Sequence, residues 1–254
     1  MNIPREPRSP LKETIKRSAG QSAKQQIDSI IDDQVLIPAY IAVVVILIAG
    51  FEWCKAIWHL PPQPWLISSF AVMTVLFAVW KFKKHRPSIA QLRLGMKGEQ
   101  EVGQILAEAL VGAAVFHDIV CDGFNIDHAV ICPNGVFSVE TKTRTKRGGT
   151  EEKVVYDGEK ITVAGFEPDR DAIAQARANA NTLAKIILEY TGQEIAVQPV
   201  VVFPGWFVNT TVKKPNVWVL NVKGLLAFIR HERVQLTKEQ IHVVREGLNR
   251  FQNQ

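Results

Sequence analysis

Two uncharged runs near the N-terminus limit what this chain can fold into: "VLIPAYIAVVVILIAGF", Val35 to Phe51, and "PWLISSFAVMTVLFAVW", Pro64 to Trp80. At about 1.5 Å of helical rise per residue each covers roughly 26 Å, slightly short of a ~30 Å hydrocarbon core, so helical extension into flanking residues supplies the rest. Trp53, Trp58, Trp65 and Trp80 lie near the ends of the runs, where interfacial aromatic side chains sit. A signal peptide would begin at the N-terminus and stand alone, whereas residues 1–34 come first here and a second run follows. The pattern predicts a basic segment over 1–34 and a two-span transmembrane hairpin over 35–81. The alternative, two buried helices of a soluble domain, conflicts with runs apolar on every side.

Orientation follows from the cations. Residues 1–26 carry Arg5, Arg8, Lys12, Lys16, Arg17 and Lys24 against Glu6 and Glu13, and "KFKKHR" follows the second run, while the connector "EWCKAIWHLPPQ" has one acid and one base. Positive flanks stay on the cytoplasmic side, so both termini and the large C-terminal part are expected there, in an integral membrane protein held in the bilayer through 35–51 and 64–80. The net charge of +5 permits a polyanionic partner. Cys54, Cys121 and Cys132 form no CxxC pair, which argues against a disulfide framework or a zinc cluster.

Residues 87–254 have a mixed, globular pattern and are numerous enough for one core. "MKGEQEVGQILAEAL" places Val102, Ile105, Leu106 and Leu110 at helical spacing. "AAVFHDIV", "IDHAVICP" and "GVFSVETKT" read as strands, the last two joined by Asn134-Gly135, a strong hairpin signal. "KVVYDGEKITV" reads as a further small hairpin, and Arg170 to Tyr190, Ala-rich and free of proline, as a helix. "IAVQPVVVF" and "NVWVLNV" read as strands, and "KGLLAFIRH" and "KEQIHVVREGLNRF" as closing helices. The order suits a mixed α/β sheet with helices on both faces.

With Asn134-Gly135 as a two-residue turn, Pro133 pairs with Val136, Ala129 with Glu140 and Asp127 with Lys142. Asp127, Glu140 and Lys142 then project from one side of the hairpin, with the two acids diagonal neighbours ~7–8 Å apart at the backbone. His128 points to the opposite side, among core residues. Two carboxylates and a lysine in that arrangement suit a hard divalent cation, most simply Mg²⁺ and alternatively Mn²⁺, with the Thr141 carbonyl as a further ligand and Lys142 acting on a water. By spacing alone the same side chains also form an ordinary solvated ion cluster.

Three segments, "GMKGEQEVGQIL", "NIDHAVICPNGVFSVETKT" and the Ala-rich helix from Ala172, together resemble the nuclease-related domain, NERD, a branch of the PD-(D/E)xK restriction-endonuclease-like superfamily. The resemblance covers roughly Leu92 to Phe203. It implies an α-β-β-β-α-β core behind the two-helix transmembrane hairpin, and metal-dependent cleavage of DNA. It also implies that Asp127 is the central acid, Glu140 and Lys142 the E-x-K pair, Glu99 the acid of the first helix, and Gln175 the glutamine of the helix after the core strands. Ile126 stands where the family name has proline. Read by themselves, Glu99 suits the first turn of a helix through the helix dipole, and Gln175 is an ordinary helical residue.

After the E-x-K pair, Arg144, Lys146 and Arg147 lead toward Gly148-Gly149. Such a loop either tracks DNA phosphates or is simply solvated. No helix-turn-helix or zinc finger is legible, and neither G-x-x-x-x-G-K-[ST] nor H-E-x-x-H is present, which argues against an NTPase and a zinc protease. The expectation is a membrane-anchored deoxyribonuclease; the alternative is a tethered module of the same fold that binds nucleic acid or protein without turnover.

Overall fold

The apolar runs are helical in the computed structural model, which describes residues 17–58, 64–110, 112–146, 153–167 and 171–253. Arg5, Arg8, Lys12, Lys16 and Arg147 lie outside the described residues. The chain divides into two compact units: Gln21–Lys97, and Gly98–Gln254 together with the residues through Gly20.

In the first unit α1 (Gln21–Ile31) passes through a π-helical turn, Asp32–Leu36, into α2 (Ile37–Ile57), and α3 (Pro64–Ala109) opens at the second apolar run. Gln21–Ile57 and Trp65–Ala109 are long and apolar enough to cross a membrane. Val45 and Ala49 of α2 cluster with Ala71 of α3, and small residues there allow the backbones a close approach. Most of the remaining apolar surface is uncovered: Tyr40 is 72% exposed, Leu47 68% and Trp65 78%. Core helices of soluble proteins bury such residues. α3 runs through Pro87, an exposed position where water can take up the carbonyl that loses its donor.

The second unit is built on β1 (Ala114–Cys121), β2 (Phe124–Cys132), β3 (Gly135–Thr141), β4 (Lys153–Tyr156), β5 (Ile161–Val163), α4 (Ala172–Thr191), β6 (Val197–Val202), β7 (Phe207–Thr210), β8 (Trp218–Leu220), α5 (Val222–His231) and α6 (Lys238–Gln252). The main sheet has the order β1-β2-β3-β6-β8, antiparallel from β1 to β3 and parallel from β3 to β8. It is a mixed α/β sheet, as expected. Val102 and Leu106 of α3 and Leu225 and Ile229 of α5 cover one face, against Val130, Phe137, Val139 and Val200. Leu183 and Ile187 of α4 and Val244 and Leu248 of α6 cover the other, against Phe116, Ala129, Ile131 and Val136. Every residue of β3 is buried, as a central strand covered on both faces requires. The expected small hairpin, β4 and β5, joins β7 in a separate three-stranded sheet. β7 went unforeseen, because "FVNT" is short and half-exposed.

The β2–β3 register differs from the expected one. Cys132 pairs with Gly135 and His128 with Val139, so the turn is Pro133-Asn134 and not Asn134-Gly135. Proline has no N–H for a ladder and a fixed φ that suits the first turn position, while Gly135 re-enters the strand at φ 138, which a side chain would strain. The shift moves both strands by one residue, so side-chain parity survives it: Asp127 comes opposite Glu140 instead of Lys142.

Candidate active site

Glu140 is the buried next-to-last residue of β3, and Lys142 lies two residues on, so both side chains turn toward α4. Glu140 Oε1 accepts from Lys142 Nζ at 2.7 Å, and its Oε2 accepts from Asn179 Nδ2 at 2.8 Å. Lys142 Nζ also donates to Gln175 Oε1 at 2.8 Å. Gln175 and Asn179 are four apart on α4 and so share the face that meets β3. Asp171 starts that helix by accepting from the amides of Ile173 and Ala174, which fixes where both side chains emerge.

Asp127 does not simply project from the sheet face. The β2–β3 ladder ends at the His128–Val139 pair, and beyond it the Thr141 N–H donates to Asp127 Oδ2 at 2.7 Å. The carboxylate takes the place of a main-chain acceptor where the strands separate. The amide of Thr141 is therefore used by Asp127, and its hydroxyl is buried without a hydrogen-bond partner among the described residues.

Glu99 lies well inside α3, so the helix-dipole reading of a first-turn acid is corrected: no helix starts there. Its neighbour Gly98 explains its placement. A methyl group on Gly98 would collide with the side chain of Thr143, so glycine lets α3 pass close to the chain leaving β3. Burial pushes the Glu99 carboxyl up to about 7, with the negative charges of Asp118 and Glu140 adding to the effect, against Lys142 and an N–H from Gly20. Burial, then Glu140 and Glu99, hold the Asp127 carboxyl well above its usual range despite the Thr141 amide. Burial raises Glu140 as well, opposed by Lys142 and Asn179. Glu140 raises the proton affinity of both Glu99 and Asp127, and Glu99 that of Asp127, so the three acids share one electrostatic environment.

Several contributors had no clear signal in the sequence. Asn179 was visible only as a polar residue one helical turn after Gln175. Asp118, 3% exposed, occupies the register position opposite Asp127 and pairs with Arg17. His128 does face away from the acids: it is buried, with its Nδ1 2.9 Å from His117 Nδ1, and burial and His117 push it down to about 3. In the basic loop Arg144 and Lys146 are exposed, the Arg144 carbonyl accepts from Trp206 Nε1 at 3.3 Å, and Lys146 Nζ stands 5.6 Å from the centre of that indole ring. Trp206 thus anchors the loop that leaves the site.

Among the described residues no three His, Cys, Asp or Glu side chains are placed to hold one metal ion. The donor chemistry nonetheless fits a hard cation of the Mg²⁺ type, which takes one or two carboxylates and keeps several waters. Asp127 and Glu140 would be those carboxylates.

No curated protein and no solved structure matches the chain. Residues 94–204, which run from α3 through the end of β6 and contain Glu99, Asp127, Glu140, Lys142 and Gln175, match the family model of NERD, the nuclease-related domain, and this stretch of the chain is similar to that family.

Proposed function

We propose that the chain is a membrane-anchored, metal-dependent nuclease that hydrolyses phosphodiester bonds of DNA at the cytoplasmic face. The observation that carries the reading is the connected set at the end of β3: Glu140 and Lys142 bonded to each other and held from α4 by Asn179 and Gln175, with Asp127 at the strand opening. Buried polar groups bonded to one another in this way hold a fixed geometry, which catalysis requires. The NERD match supports a nuclease-like activity for this unit.

Asp127 and Glu140 would hold Mg²⁺ or Mn²⁺, with the Thr141 main chain beside them. A divalent cation there supplies Lewis-acid polarisation of the phosphodiester and a more acidic bound water. Lys142, aimed by Glu140 and Gln175, orients the attacking water and supports the negative charge on the phosphorus oxygens. Glu99 tunes the same field from α3. Arg144 and Lys146, with Arg147, serve as phosphate contacts along the loop. Two helices long and apolar enough to cross a bilayer support the anchoring, and the flanking lysines and arginines favour the cytoplasmic side.

One observation favours a second reading, a tethered nucleic-acid or protein binding module without turnover: both oxygens of Glu140 are already engaged by protein donors. The deciding experiment uses the full chain in detergent with plasmid DNA and Mg²⁺ or Mn²⁺, beside Asp127→Ala and Lys142→Ala. Cleavage in the parent that is absent from both variants supports hydrolysis. Cleavage that survives in both excludes this site, and a calorimetric Mg²⁺ signal unaffected by Asp127→Ala excludes its role as metal ligand.

A further inference from the structure

The residues just ahead of the first apolar helix end against the candidate site. Arg17 Nε and a terminal guanidinium nitrogen stand 3.2 and 3.1 Å from Asp118 Oδ2. Two residues later Ala19 lies over Gly103 of α3, where an added Cβ would stand only 3.0 Å from the Ala19 methyl. At the next residue the Gly20 N–H comes near enough to the Glu99 carboxylate to favour its charged form. Gly20 has φ 73, the left-handed conformation that glycine takes without strain. Four consecutive residues are thus fastened at three points around one acid.

Asp118 is the other half of this arrangement. It is a non-glycine residue at φ 49 in the middle of β1, with its Oδ1 held by Asn125 Nδ2 at 3.2 Å. Its neighbours His117 and Ile119 pair normally with His128 and Ile126, so the irregular residue is the one opposite Asp127. Alternation breaks there as well, since Phe116 and Ile119, three apart, enter the same core cluster. A backbone strain of this kind persists only where the surroundings over-determine it. What it achieves is to set a nearly buried carboxylate near Glu99, with a cation from the N-terminal segment bound to it.

We propose that Arg17–Gly20 is a strap that positions Glu99, with Arg17 and Asp118 as positioning residues, and that the candidate site is complete only while the strap is docked. The strap ends where α1 begins, so the apolar unit and the acid of the site are joined through it in sequence. A chain that starts after the apolar helices lacks it. The kinetic part of the proposal rests on the hydrolytic reading above; the docking part does not.

The test uses the full chain in detergent. Amide hydrogen exchange should show Gly20 protected in the parent, with that protection lost in Arg17→Ala and in Glu99→Ala and largely kept in Arg17→Lys. In plasmid cleavage, Arg17→Ala should lower kcat by about 10- to 100-fold, with KM within about threefold of the parent. Arg17→Lys should recover most of the rate. In the Asp118→Asn background the Arg17→Ala change should have a smaller effect than in the parent, because the charge that Arg17 meets at Asp118 is gone. A Gly20 amide that exchanges freely in the parent overturns the proposal whatever the activity. So does a parent-like kcat in Arg17→Ala, or Arg17 and Asp118 effects that simply add. If the parent cleaves no DNA, the hydrolytic reading fails, and the strap is judged by Gly20 protection together with Mg²⁺ affinity, which Arg17→Ala must weaken for the strap to stand.

Discussion

Asp127 Oδ2 accepts the Thr141 N–H at 2.7 Å, one step past the last main-chain pair of β2 and β3. One oxygen of the carboxylate therefore supports the fold while its charge belongs to the site, and two substitutions separate these roles. Asp127→Asn keeps an acceptor for the amide and removes the charge: the unfolding midpoint stays near that of the parent, and Mg²⁺ binding and cleavage fall by about 100-fold or more. Asp127→Ala loses activity equally and also leaves a donor unsatisfied, at about 1–3 kcal/mol of stability. Denaturant unfolding beside the cleavage assay checks both. Equal stability of the two variants would remove the structural role.

The pairing of Glu140 with Lys142 was legible because a strand has period two, and parity survives an error that shifts both partners by one residue. The turn was misplaced because Asn134-Gly135 is a strong signal by itself, while the preceding Pro133 decides where the ladder can close. The sheet and its covering helices were legible for the same reason: Val102, Leu106 and the run at Val200 to Val202 carry their periodicity openly. Asp118 and Arg17 were not, since nothing local marks a left-handed residue inside "VFHDIV" or pairs two side chains 101 residues apart. Asn179 needed the helix phase against β3, which only packing fixes.

The three acids set a pH dependence whose sign can be worked out. Glu99 is raised from its ordinary 4.5 to about 7 in the folded chain by burial and its acidic neighbours, and Asp127 and Glu140 are raised in the same direction. The folded state then binds more protons than the unfolded state between those values, so stability falls as pH rises through that window. With chelator present the thermal midpoint of the full chain should drop between pH 5 and 7.5. Mg²⁺ should reduce the drop by replacing the protons, and Glu99→Gln, which keeps an acceptor for Gly20, should flatten it. A midpoint in chelator that rises over this range would show that the carboxylates are not held together as described.

At Gly98 α3 passes close to the chain beyond β3, because a Cβ there would collide with Thr143 Cγ2. Gly98→Ala should cost about 1–3 kcal/mol through this overpacking and should reduce activity by shifting Glu99. Thr143→Ser removes the methyl group that is struck, so the double variant should regain most of both losses. Helix propensity by itself favours alanine over glycine, so an unrescued loss, or a gain in stability from Gly98→Ala alone, would count against the close approach.

Membrane anchoring has a direct chemical readout in the native thiols. Cys54 is exposed near the end of α2, on the side of the short connector, while Cys121 is partly exposed in β1 and Cys132 is buried. If the flanking cations hold both termini inside, a membrane-impermeant maleimide added to intact cells should label Cys54 and leave Cys121 unlabelled until the membrane is opened. Cys54→Ser should abolish labelling of intact cells. The opposite pattern would invert the topology, and recovery of the chain in the soluble fraction would assign the exposed apolar faces of α2 and α3 to a protein partner in place of lipid.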